Sequence, residues 1–96
     1  MTGQLENRVA VITGAGEGIG RGIASAFVKE GAKVVIAEIN AELGNAAVSE
    51  LGENAIFVET DVSVKEDNER MIAAAVDQWG ALDILVNNAW GGGVIS

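Results

Sequence analysis

Residues 9–20 read VAVITGAGEGIG. An unbroken apolar run, Val9-Ala10-Val11-Ile12, passes straight into a segment with glycine at every second position: Gly14, Gly16, Gly18 and Gly20. A short continuous apolar run ended by glycine reads as a strand buried on both faces, over Arg8 to Thr13. Downstream, Ile19, Ile23 and Phe27 recur every fourth position through about Glu30. That spacing predicts a helix with one apolar face, which Gly31 ends.

The same alternation continues along the chain. Lys33-Val34-Val35-Ile36-Ala37-Glu38 is a second strand. Asn40 caps a helix whose Leu43, Ala47 and Leu51 share a face and which Gly52 closes. Ala55 to Glu59 makes a third strand. Ser63 stands three residues before Glu66, a capping-box spacing, and Ile72, Val76 and Trp79 stripe the following helix as far as Gly80. Asp83 to Asn87 is the fourth strand. Strands alternating with helices of ten or more residues predict an α/β fold, a doubly wound parallel sheet with right-handed crossovers and helices on both faces.

Composition bounds the chemistry. The 96 residues are 49% hydrophobic and 21% charged, with no proline, which predicts one compact domain over 1–96. A net charge of −8, with Arg8, Arg21, Lys29, Lys33, Lys65 and Arg70 scattered, disfavours nucleic acid and anionic lipid as partners. No apolar run approaches the roughly 20 residues of a membrane span, and the first residues lack a signal pattern, so a cytoplasmic location is expected. The chain contains no histidine, cysteine or tyrosine, which removes imidazole bases, thiolate nucleophiles and phenolic acids. No oxygen-ligand loop pattern is present, and no metal is expected.

The glycine segment carries the functional reading. In a doubly wound sheet the turn from the first strand into the first helix lies at the carboxyl edge, where helix amides and dipole face a bound anion. Glycines there permit positive φ and let a phosphate approach bare backbone. The strict G-x-G-x-x-G pattern fails, because from Gly14 and Gly16 the third glycine would fall at Ile19. The spacing that fits is T-G-x-x-x-G-x-G, at Thr13, Gly14, Gly18 and Gly20. A glycine-rich turn without a ligand is the competing reading. Glu38 lies 18 residues after Gly20, close to the spacing at which an acidic residue grips ribose hydroxyls. A carboxylate there accepts from a diol and repels a 2′-phosphate, so NAD (NADH) is favoured over NADP, and Glu17 in the turn favours the same choice. A solvated charge at a strand end is the alternative for Glu38.

The chain resembles the short-chain dehydrogenases/reductases. The resemblance rests on TGAGEGIG at 13–20, the acidic end of VVIAEI, TDVS at 60–63 and LVNNA at 85–89. It implies a partial Rossmann fold of three layers and about four strands in the order 3-2-1-4. It also implies that Gly14, Gly18, Gly20 and the Ile19 amide hold the pyrophosphate and adenosine ribose of a nicotinamide dinucleotide, with Gly16 easing the turn. Asp61 resembles the aspartate that receives the adenine amino group, and the Val62 amide reads the ring. A helix-entry role beside Ser63 is the alternative for Asp61. The match of Asn87-Asn88-Ala89 to the family's N-N-A-G segment implies that Asn88 and Ala89 line the adenosine side of the cleft and that Asn87 bridges neighbouring strands. Trp90 stands where the family pattern has glycine.

The family's catalytic serine, its Tyr-x-x-x-Lys pair and a further asparagine fall downstream of the motifs matched here, so no catalytic residue is assigned. The expectation is a truncated NAD-binding portion of an oxidoreductase, its fourth strand left as an apolar edge for a second copy or another chain to cover. Two other readings stand beside it: a minimal oxidoreductase active only as an oligomer, and a non-enzymatic protein that pairs through that edge.

Overall fold

In a computed structural model that describes residues 3–88, four strands and three α-helices alternate along the chain. They are β1 (Val9–Thr13), α1 (Gly18–Lys29), β2 (Lys33–Glu38), α2 (Ala41–Leu51), β3 (Ala55–Glu59), α3 (Lys65–Trp79) and β4 (Ile84–Val86), with a 3₁₀ turn at Gly52–Asn54. All pairings are parallel and the strand order is β3-β2-β1-β4, as expected. The register sets Val9 beside Lys33, Ala10 beside Ile84 and Val34 beside Ala55.

The period of two along each strand divides the core between two layers of helix. Ile12, Val34 and Ile36 pack with Ala24, Ala47 and Phe27 on the α1 and α2 side. Val9, Val11, Val35 and Ala37 pack with Met71, Ala75 and Trp79 on the α3 side. Both central strands are therefore apolar at consecutive positions because both of their faces are covered.

Several local expectations change. On α3 the stripe that faces the sheet is Met71, Ala75 and Trp79, whereas Ile72 and Val76 are solvent-exposed. Two apolar rows one residue apart run along this helix. Packing selects the row with an alanine at its centre, because a small side chain lets the helix lie close on the valines of the sheet. The Ser63–Glu66 capping box does not form: the helix begins at Lys65 with Val64 at its N-cap and no side-chain cap. Ser63 is instead turned back to Asp61, its N–H and hydroxyl donating at 2.9 and 2.6 Å to Asp61 Oδ1. Ile19 is exposed too, at the end of α1 beyond the sheet, so that helix's inward row begins at Ile23.

Asn40 does cap α2, its Oδ1 accepting from Leu43 N–H at 3.0 Å. β4 is shorter than expected. Asp83 has become an anchor for β1, accepting from Val9 N–H at 2.9 Å through Oδ2 and donating its own N–H to Val9 O at 2.8 Å.

Candidate functional site

Backbone bonds beyond the strands draw the candidate residues together at the carboxyl edge of the sheet. Gly14 N–H donates to Ala37 O at 2.8 Å, and Thr60 N–H donates to Glu38 O at 2.9 Å. On the other side, Asn88 N–H donates to the hydroxyl of buried Thr13 at 2.8 Å. The loops that follow all four strands are thus tied edge to edge, which sets Gly14, Glu38, Asp61 and Asn88 along one rim.

The glycine turn is shaped for a close approach. Gly14 and Gly18 both take φ of +64°, a left-handed conformation that L side chains rarely adopt. Gly20 lets α1 come down onto the turn, since a Cβ there would stand 2.3 Å from Gly14 O and 2.7 Å from Asn88 Nδ2. The first turn of α1 has an extended N-cap residue, Glu17, with no side-chain cap and no acidic side chain within the turn. Its leading amides are left facing outward with the positive end of the helix dipole.

Glu38 is 8% exposed and both of its carboxylate oxygens are engaged. Oε1 accepts from Gly16 N–H at 2.9 Å, and Oε2 accepts from Asn40 N–H at 3.0 Å. It is therefore no freely solvated strand-end charge. Each oxygen keeps a second lone pair for a further donor. This carboxylate gives Gly16 a contact that spacing alone concealed. The two residues lie 22 positions apart, and only the pairing of β1 with β2 brings them together.

Asp61 makes the contacts of a helix-entry residue and keeps one carboxylate oxygen open. Its Oδ1 takes the two Ser63 donors, as a helix-entry residue would, while Oδ2 takes none among the described residues. The Ser63 hydroxyl first, and then the Ser63 amide, hold the carboxyl below its ordinary pKa. Val62 N–H also has no partner among the described residues. The loop is held from behind by α3: Asp67 Oδ2 accepts from Asp61 N–H at 2.9 Å, and Asn68 Nδ2 donates to Val62 O at 2.9 Å. Neither Asp67 nor Asn68 was singled out in the sequence, because both read as ordinary polar positions on a helix.

Asn88, rather than Asn87, is the bridging asparagine. Besides its bond to Thr13, its Nδ2 reaches Gly14 O at 3.4 Å, and Asn87 is exposed. Ala89 and Trp90 lie outside the described residues.

The profile described as short chain dehydrogenase matches residues 8–94. The chain belongs to this family. It is 45% identical over 86 residues to a sorbitol dehydrogenase of Cereibacter sphaeroides, covering 90% of this chain and 34% of that protein. A 3-beta-hydroxysteroid dehydrogenase of Comamonas testosteroni is 40% identical over 89 residues, covering 93% of this chain and 35% of that protein. The crystal structure of 3-ketoacyl-(acyl-carrier-protein) reductase from Brucella melitensis, complexed with NADH, superposes with a TM-score of 0.87 at 44% identity over 90% of this chain and 35% of that one. The chain thus spans about a third of the length of these relatives. The four-stranded Rossmann-like sheet is common to this chain and the reductase.

Proposed function

We propose that this chain is the NAD(H)-binding portion of a short-chain oxidoreductase and that it prefers NAD(H) to NADP(H). The observation that carries the proposal is the buried Glu38 carboxylate, fixed by two backbone amides beside Gly16 and Gly20, where a Cβ would clash. Gly14, Gly18, Ile19 and Gly20 supply bare backbone and outward amides to a pyrophosphate. Glu38 accepts from the adenosine ribose diol and opposes a 2′-phosphate by charge. Asp61 Oδ2 and the Val62 amide present one acceptor and one donor to an adenine edge. Asn88 braces the turn from the β4 side, with Ala89 assigned to the same wall by the resemblance.

When bound, the nicotinamide supplies hydride chemistry toward an alcohol or carbonyl. The 96 residues contain no tyrosine, so the family's Tyr-x-x-x-Lys donor has no counterpart among them, and the proposal assigns binding rather than turnover. Titration of the chain with NADH, followed by energy transfer from its tryptophans, tests the proposal. Saturable binding is expected. Replacing Gly18 by tryptophan should abolish it: nothing lies within 4 Å of a Cβ there, but the φ of +64° strains any side chain, so far-UV circular dichroism must show that the variant is folded before its affinity is read. Undiminished affinity in that variant would refute the phosphate turn.

A second reading rests on β4. It forms one edge of the sheet, with Leu85 exposed, and Ile72 and Val76 lie exposed on α3. We propose that a second copy of the chain or another partner covers this edge. No helix among the described residues is long and apolar enough to cross a membrane.

A further inference from the structure

Gly16 is held on both sides. Its N–H donates to Glu38 Oε1 at 2.9 Å, and its carbonyl accepts from Arg21 Nη1 at 3.3 Å. Arg21 is fixed in turn by an ion pair of 2.8 Å with Glu50 near the end of α2. A Cβ at residue 16 would stand 2.7 Å from Glu38 Oε1, 2.8 Å from Glu38 Cγ and 2.8 Å from Leu43 Cβ. Leu43 belongs to the first turn of α2, where its N–H is capped by Asn40, so its Cβ is fixed by helix backbone. The group able to yield is the Glu38 side chain.

We infer that Gly16 is a specificity-determining position for the adenosine ribose and acts through Glu38. This inference rests on the reading of the cleft as a dinucleotide site. The absence of a side chain at residue 16 is what lets the carboxylate fold under the turn and take two amide donors. In that pose it is desolvated and oriented before any ligand arrives, which spares a diol the cost of ordering it. It also sets a fixed negative charge where a 2′-phosphate would have to sit. A methyl group at residue 16 expels the carboxylate toward water. The diol then loses its acceptor, and repulsion of a 2′-phosphate is screened. Gly16→Ala should therefore mimic Glu38→Ala, although it leaves the carboxylate in the chain.

The test is a double-mutant cycle of Gly16→Ala and Glu38→Ala, read by the ratio of NADPH to NADH dissociation constants and by thermal midpoint. Gly22→Ala serves as a control, since a Cβ there meets nothing within 4 Å. Gly16→Ala should shrink the ratio about tenfold, the loss of one charge-assisted hydrogen bond, and should shrink it no further once Glu38 is alanine. The midpoint should fall more for Gly16→Ala in the parent than in the Glu38→Ala background. The control should leave the ratio unchanged. A Gly16→Ala chain that keeps the parental ratio, or loses affinity for both dinucleotides equally, would overturn the inference. So would a chain that Gly16→Ala unfolds as severely without Glu38 as with it. Failure of the underlying reading looks different: the parent chain itself would bind neither dinucleotide or would not distinguish them.

Discussion

Asp61 spends one carboxylate oxygen on the fold and leaves the other without a partner among the described residues. The Ser63 bonds to Oδ1 favour the ionised form and lower the pKa, so the folded chain binds this proton more weakly than the unfolded chain does. The resulting stability is present above the ordinary carboxylate pKa and is lost as pH falls through the lowered one. Ser63→Ala removes the hydroxyl, the larger of the two lowering effects, and the carboxyl pKa should rise toward its ordinary value. An NMR titration of the Asp61 side-chain carbon reads this directly, and an unmoved midpoint would contradict the assignment. The acidic residue at the end of β2 and the glycine spacing were both legible in the sequence, since each sits at a fixed place relative to an apolar run. The link between Glu38 and Gly16 was not, because it joins consecutive strands through a side chain and leaves no periodic trace. The bridging bonds fall to Asn88 rather than Asn87, since two adjacent asparagines differ in sequence only in the face they present.

At the scale of elements, the four strands were plain as apolar runs bounded by glycine, asparagine or charge, and the glycines after each helix marked its end. The inward face of α3 was not plain. Its row of Ile72 and Val76 is more hydrophobic than the row of Met71 and Ala75, and periodicity alone follows the stronger signal. The sheet beneath prefers the row that allows close packing. Met71→Ala should therefore destabilise by about 2–4 kcal/mol, against about 0.5 kcal/mol for Ile72→Ala, in urea unfolding followed by circular dichroism. The reverse order would mean that the helix is rotated from the orientation described. The entry to α3 was misread for a related reason. A Ser-x-x-Glu spacing is suited to capping, but here Asp61 draws Ser63 away and the loop is held instead by Asp67 and Asn68.

For the molecule as a whole, the sheet order β3-β2-β1-β4 leaves one edge at β3 and the other at β4. Leu85 on β4 is 44% exposed, so the second edge carries a large apolar side chain open to solvent. If that edge is where copies meet, Leu85→Lys should lower the mass measured by sedimentation at a given concentration, and an unchanged mass would exclude the edge as the contact. The net charge of −8 makes such association more favourable as salt is raised. The rim proposed for the dinucleotide is formed by the loops after the strands and the edge by β4 itself, so binding and assembly can be tested separately. The most direct test of the proposed dinucleotide selectivity is a parallel titration of the parent chain and Glu38→Ala with NADH and NADPH. The parent should bind NADH the more tightly, and Glu38→Ala should lose about tenfold or more in NADH affinity together with most of the preference. A folded parent that binds neither dinucleotide, or a Glu38→Ala chain that keeps the parental preference, would contradict it.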